Sequence, residues 1–199
     1  MMGAATATAV YLGGTKVWPS GNPGPTVLFS DNFNSNSLAA WTVTSGTTAS
    51  GGQLRIPHSL SYSAAEVTAK YNMADARFVA HLINPETASP YETYMYVSLD
   101  AQNLAVMILS GSMIARVVNA GVTTQVSLGA YSTSRQWWQI REAAGIFYFE
   151  TSPDGITWTT LGQAAHSWAP SACTLYFNAS QWQAAAAMTL VVDDVSVLR

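Results

Sequence analysis

Residues 137–162 read WWQIREAAGIFYFETSPDGITWTTLG. Trp138 and Ile140 fall on one side of an extended chain, with Trp137, Gln139 and Arg141 on the other. After a turn at residues 143–145, Ile146, Tyr148 and Glu150 alternate with Phe147 and Phe149. A period of two is the pattern of a strand whose successive side chains leave by opposite faces. SPDG follows: Pro153 suits a φ of about −65° and Gly155 closes a tight turn, so ITWTTLG is expected to start a further strand.

The same pattern extends outward. In TYMYVSLD, Thr93, Met95, Val97 and Leu99 alternate with Tyr94, Tyr96 and Ser98. LAVMILS is apolar on both faces and predicts a strand buried between layers, with MIARVVNAG returning after a turn at residues 110–112. TTQVSLG, LYFNAS and MTLVVDDVSVLR complete the series, and no stretch sustains a helical period beyond a possible turn at residues 184–187. About a dozen short strands predict an all-β, two-sheet antiparallel sandwich. PSGNPGP, with Pro19, Pro23 and Pro25, predicts a stiffened connector, dividing an N-terminal arm and hinge (1–25) from the sandwich domain (26–199).

Charged residues make up 10% of the 199, the hydrophobic set 49%, and the net charge is −3 with no Lys/Arg cluster. That composition excludes an electrostatic footprint for nucleic acid or an anionic membrane. The apolar segments are too short and too often interrupted to cross a bilayer, so no membrane insertion is expected, and MMGAATATAVYLGG lacks the basic start of a secretory signal. Cys173 is the single cysteine, which rules out an intrachain disulfide and predicts a small core residue.

Chemistry is hard to locate. Glu150 and Asp154 flank the proline turn and are not expected to share a strand face, and the carboxylates are otherwise scattered apart from Asp193 and Asp194. His58, His81 and His166 form no metal-binding spacing and are expected at turns or on the surface, and no GxSxG motif is present. No catalytic residue and no enzyme activity are expected on these grounds. In a regular strand Asp193 and Asp194 point to opposite faces; Asp193 with Asp31 could form an oxygen-rich calcium-type site, the alternative being that these carboxylates bind loop amides. No other cofactor is expected. Trp138 and Trp158 are expected in the core, whereas Trp168 and Trp182 are loop-borne candidates for stacking on a sugar ligand.

Two resemblances follow from particular motifs. LFSDNFNSNSLAAWTV with Asp31, Phe33 and Trp41, SPDGITW with Ser152, Asp154, Gly155 and Trp158, and the closing DDVSV from Asp193 to Val197 together resemble the concanavalin A-like lectin and laminin G-like family. The resemblance implies a concanavalin A-like jelly roll, here with an extended N-terminal arm; the ExDxxE acids of the glucanase branch are absent. AVYLGGTKVWPSG resembles the opening of minor tail proteins of actinobacterial phages. That implies a non-enzymatic virion structural protein of the tail tip or fibre, a homo-oligomer with a trimer as the natural guess, presenting its jelly roll to a cell-surface polysaccharide. Tyr11, Leu12, Val17 and Trp18 form an apolar segment too short to build its own core and are the expected contacts to other virion proteins. The rival readings are a carbohydrate-binding module of a secreted bacterial protein and a glycan hydrolase.

Overall fold

A computed structural model of the protein describes residues 24–44 and 46–199, and the backbone alone at Tyr11–Leu12 and Thr15–Lys16. Its strands are β1 (Tyr11–Leu12), β2 (Thr15–Lys16), β3 (Val27–Asp31), β4 (Trp41–Val43), β5 (Thr48–Ser50), β6 (Gln53–Pro57), β7 (Ser63–Val67), β8 (Arg77–Ile83) and β9 (Tyr91–Asp100). They continue as β10 (Asn103–Ser110), β11 (Ser112–Asn119), β12 (Val122–Gly129), β13 (Trp137–Ala143), β14 (Ile146–Ser152), β15 (Thr159–Ala165), β16 (Thr174–Gln181) and β17 (Thr189–Leu198). A 3-10 turn, Thr133–Arg135, is the only helical segment among the described residues.

Seven strands form one sheet in the order β12, β11, β10, β9, β16, β7, β4. The other sheet runs β15, β14, β13, β8, β17, β6, β5, with β3 also paired to β17. This is the expected all-β, two-sheet jelly-roll sandwich, and its main pairings are antiparallel throughout. β1 and β2 pair with each other as a two-stranded piece outside both sheets. The side chains of Tyr11 and Leu12, and all of Val17 and Trp18, lie outside the described residues, so the expected attachment arm is not among what the structure describes.

Local chemistry explains the decisive hairpin. Ala143 pairs with Ile146, leaving Ala144 and Gly145 as a two-residue turn with φ of 52° and 79°. Positive φ at both positions matches the twist of the flanking strands. Trp138, Ile140, Phe147 and Phe149 are fully buried, as the period of two requires. In the next turn the Ser152 hydroxyl accepts the Gly155 amide at 2.9 Å, and Asp154 Oδ1 accepts the amides of Ile156 and Thr157 at 2.9 and 2.8 Å. Those amides are thereby withdrawn from a ladder, so the strand resumes only at Thr159 and Trp158 belongs to the turn. Half-buried, Trp158 packs on Trp137, Val79 and Leu198 on the outer face of the eight-stranded sheet instead of entering the core. Gly155 has φ of 71°, and a Cβ there would lie 3.0 Å from the Trp137 ring.

The core joins Met95, Val97, Met107, Leu175 and Phe177 of one sheet to Phe78, Leu82, Trp138, Leu190 and Val192 of the other, all fully buried. Truncating one such side chain to alanine typically costs about 2–5 kcal/mol. Cys173 is a core residue as expected, and burial pushes its thiol up to about 12. At one side the edge strands β12 and β15 meet. A Cβ on Gly162 would lie 2.6 Å from Val126 Cγ1 and 2.8 Å from Leu128 Cδ2, so the absence of a side chain there permits the close approach.

Candidate functional site

Alternation along β9 buries Thr93, Met95 and Val97 and leaves Glu92, Tyr94 and Tyr96 on the outer face. β16 does the same with Tyr176, Asn178 and Ser180, and its register sets them opposite Tyr96, Tyr94 and Glu92 respectively. β7 adds Glu66 opposite Tyr176, while β10 and β11 bring Val106 and Arg116 into the Tyr96 row. A row Arg116, Val106, Tyr96, Tyr176, Glu66 thus crosses the middle of the seven-stranded sheet.

The three tyrosine rings form a continuous stack. Tyr94 and Tyr96 have centroids 5.6 Å apart at 14°, and Tyr96 and Tyr176 are 4.3 Å apart at 12°. Rings stacked in this way cover each other's faces and offer their edges and hydroxyls. Tyr94 donates to Glu92 Oε2 at 2.5 Å and Ser180 Oγ donates to the same oxygen at 3.1 Å. Burial pushes all three phenols up, Tyr176 to about 12. After burial, Glu92 raises Tyr94, the neighbouring phenols of Tyr176 and Tyr62 raise Tyr96, and Glu66 raises Tyr176. The stack is therefore a ridge of neutral hydroxyls across the biological pH range. Tyr62 is 59% exposed and close enough to act on Tyr96, and Leu60 and Trp182 are similarly exposed at 60% and 59%. Trp182 follows β16 directly, its amide donating to Pro90 O at 3.2 Å. Hydroxyl ridges beside flat, solvent-facing aromatics suit the alternating polar and apolar faces of sugar rings.

Glu66 and Glu92 are the carboxylates nearest the stack. Their backbone positions are four residues apart along the strands and two strands apart across the sheet, roughly 16 Å. A glycosidase pair stands about 5–10 Å apart. The backbone separation of the two is wider than that carboxyl spacing. A depression of about 280 Å³ lined by Ser134, Arg135, Thr151, Pro153, Thr159 and Leu161 lies at the end of β14 and β15, away from the tyrosines, and its lining contains no carboxylate.

Of the residues singled out from sequence, Trp182 is exposed as expected. Trp168 is not: it is buried, its indole donates to Val118 O at 3.2 Å, and its ring lies against Phe147 and His166 with centroids 5.4 and 5.1 Å away. Asp31 and Asp193 are not brought together around one cation. Asp31 accepts the Phe33 amide and the Trp41 indole N–H, both at 2.8 Å, whereas Asp193 Oδ2 lies 3.4 Å from His81 Nδ1. Asp193 and Asp194 do not alternate regularly either, because β17 carries a bulge there: Val192 pairs with Leu82 and Val195 with Ala80, so both aspartates stand opposite the single residue His81. His58 is buried and the His166 side chain is only 4% exposed, although His166 lies in the loop after β15; burial lowers the His58 pKa, and His166 Nε2 lies 3.1 Å from Glu142 Oε1. Glu150 is part of a structural cluster. Burial opposes its charge, but hydrogen bonds from Arg141 at 2.8 Å, Thr160 at 2.8 Å and Gln139 hold its carboxyl below the usual range.

Sequence reasoning missed Glu92, Tyr94, Tyr96 and Tyr176 as a site. The alternation in TYMYVSLD did assign Tyr94 and Tyr96 to the face away from Met95 and Val97, and two large aromatics on a non-core face were the available signal.

No family model and no curated protein matches the sequence. Solved structures match along most of it. Rv0315 of Mycobacterium tuberculosis, described as an immunostimulatory antigen and pseudo β-1,3-glucanase, superposes with a TM-score of 0.66 at 11% identity, covering 86% of this chain and 98% of its own. A β-1,3-glucanase from Mycobacterium marinum gives 0.67 at 11%, covering 86% and 98%. A glycosyl hydrolase family protein from Mycobacterium fortuitum gives 0.68 at 10%, covering 86% and 99%. At such identities the likeness is one of fold. The expectation of a non-enzymatic virion protein of the tail tip or fibre is corrected by these neighbours, whose names point to glycans and hydrolases and none to a phage tail. That expectation rested on a dozen residues ahead of the sandwich, too few to specify a fold, whereas the neighbours share nearly the whole domain. By fold, the chain is a concanavalin A-like jelly-roll sandwich of the kind seen in glycoside hydrolases.

Proposed function

We propose that this protein engages an extended, uncharged polysaccharide on the outer face of the seven-stranded sheet. The observation that carries this reading is the stack of Tyr94, Tyr96 and Tyr176, anchored at one end by Glu92 and accompanied by exposed Tyr62 and Trp182. The hydroxyl ridge supplies donors and acceptors for sugar hydroxyls, and the exposed rings supply apolar platforms for pyranose faces. The test is titration calorimetry against β-1,3-glucan oligosaccharides, cellulose oligosaccharides and mucin-type glycans. Tyr96→Ala is expected to weaken binding to the preferred glycan about tenfold or more, the loss typical of a buried aromatic contact. Unchanged affinity in Tyr96→Ala and Trp182→Ala would remove this face as the site.

Cleavage of the bound glycan is a second reading, favoured by the neighbours described as a β-1,3-glucanase and a glycosyl hydrolase family protein. Glu92 is the carboxylate placed for proton transfer on this face, held by Tyr94 and Ser180. Its backbone stands roughly 16 Å from that of Glu66, so no second carboxylate is assigned. Release of reducing ends that disappears in Glu92→Gln, with glycan affinity kept, is the expected signature. Binding without release would leave the first reading standing and end the second.

A further inference from the structure

On the outer face of the eight-stranded sheet, the β17 bulge sets two consecutive carboxylates, Asp193 and Asp194, against one imidazole, His81. One ligand atom from each residue lies within 4.8 Å of those of the other two. β17 changes partner at the same place: Thr189–Val192 pair with β6, and Val195–Leu198 pair with β3. The imidazole is fixed by the Trp137 ring, which stacks on it with centroids 4.4 Å apart and planes within 4° of parallel. Nδ1 lies 3.4 Å from Asp193 Oδ2, longer than the usual hydrogen bond of about 2.7–3.2 Å. The cluster is graded in exposure: the Asp193 side chain is 38% exposed, that of His81 18%, and Asp194 is buried. The three donor groups thus converge on one place at the bulge.

We propose that His81, Asp193 and Asp194 form a binding site for a divalent first-row transition metal of the zinc class. The chemistry of the donors sets the class. One imidazole nitrogen with two carboxylate oxygens is a mixed set that Zn²⁺, Co²⁺ or Ni²⁺ accepts readily, whereas Ca²⁺ and Mg²⁺ take oxygen ligands. Three protein ligands also leave room in the coordination sphere for water. A metal here ties β17 to β8 at the one irregular step of their pairing, where the ladder itself is interrupted. The oxygen-only pairing of Asp31 with Asp193 is not needed for this site.

The test uses untagged full-length protein, thermal melts and titration calorimetry with Zn²⁺, Ni²⁺, Ca²⁺ and Mg²⁺. Zn²⁺ is expected to bind one to one and to raise Tm by about 5–10 °C at a hundredfold excess over Kd. His81→Phe keeps an aromatic ring against Trp137 while removing the nitrogen, so its metal-free Tm should stay close to that of the parent and its response to Zn²⁺ should vanish. Asp193→Asn should weaken Zn²⁺ at least tenfold. A Zn²⁺ response that survives in His81→Phe, no Zn²⁺ response in the parent, or a larger response to Ca²⁺ than to Zn²⁺ would each overturn the assignment. Should His81→Phe melt early, the shift of the parent's His81 ring signals on adding Zn²⁺, read by NMR, decides the same question.

Discussion

Asp31 shows how one side chain can create a sequence signature. Its two oxygens bind different partners, the Phe33 amide and the Trp41 indole, and so lock the chain as it leaves β3 to the start of β4. Phe33, fully buried with φ of 55°, is held in that conformation by the same carboxylate. The Asp, Phe and Trp motif therefore encodes a clamp, and a ligand is not required to explain it. Asp31→Ala leaves a buried indole N–H without its acceptor and is expected to cost about 1–3 kcal/mol in urea unfolding, with Asp31→Asn falling between it and the parent. An unchanged denaturation midpoint in Asp31→Ala would show that the clamp contributes nothing. Trp168 teaches the converse. It lies in the loop that its place before Pro170 indicates, but it is not exposed, because sequence position carries no information about Val118 O, Phe147 and His166, which are brought to it only by folding.

Among the elements, the turn after β14 is governed by Asp154. The amides of Thr157 and Ile156, and then the Ser152 hydroxyl, pull its carboxyl down to about 2. A group that holds its proton less tightly in the folded chain contributes stability in full above its unfolded pKa of about 4, and loses it as pH falls toward the folded value. The stability gap between the parent and Asp154→Asn should therefore be constant above about pH 5 and narrow as pH approaches 2, read from thermal melts across that range. A gap that widened on acidification would refute the turn's dependence on the charged form. Elements were the most legible scale in the sequence: alternation located β9, β13 and β14, and SPDG located the turn. What stayed hidden was pairing. Nothing in LYFNAS alone sets Tyr176 beside Tyr96, and the bulge that turns both Asp193 and Asp194 toward His81 breaks the very alternation on which the strand reading relied. The candidate site and the metal site are both products of register, which one strand's pattern cannot express.

At the scale of the whole molecule, the two sheets keep their distinct outer faces apart: the tyrosine stack on one, the His81 cluster beside Trp137 on the other. The fold class was readable because each strand's core-facing residues announce themselves, while the function was misread because a short motif ahead of the domain outweighed the domain. The sheet orders carry one further implication. β16 is the strand that joins β9 and its neighbours to β7 and β4, and β17 is the strand that joins β8 and its neighbours to β6, β5 and β3. Both seams are sewn by the last segment of this domain to be synthesised. Until Thr174 to Leu198 has cleared the ribosomal exit tunnel, the seven-stranded sheet exists only as two unconnected pieces and the eight-stranded sheet as three, all with bare edges, so the nascent domain must wait, open to chaperones and proteases, and then close late and all at once. Ribosome-bound chains halted before β17 emerges should be digested readily, and a protease-resistant core in such chains would disprove late closure.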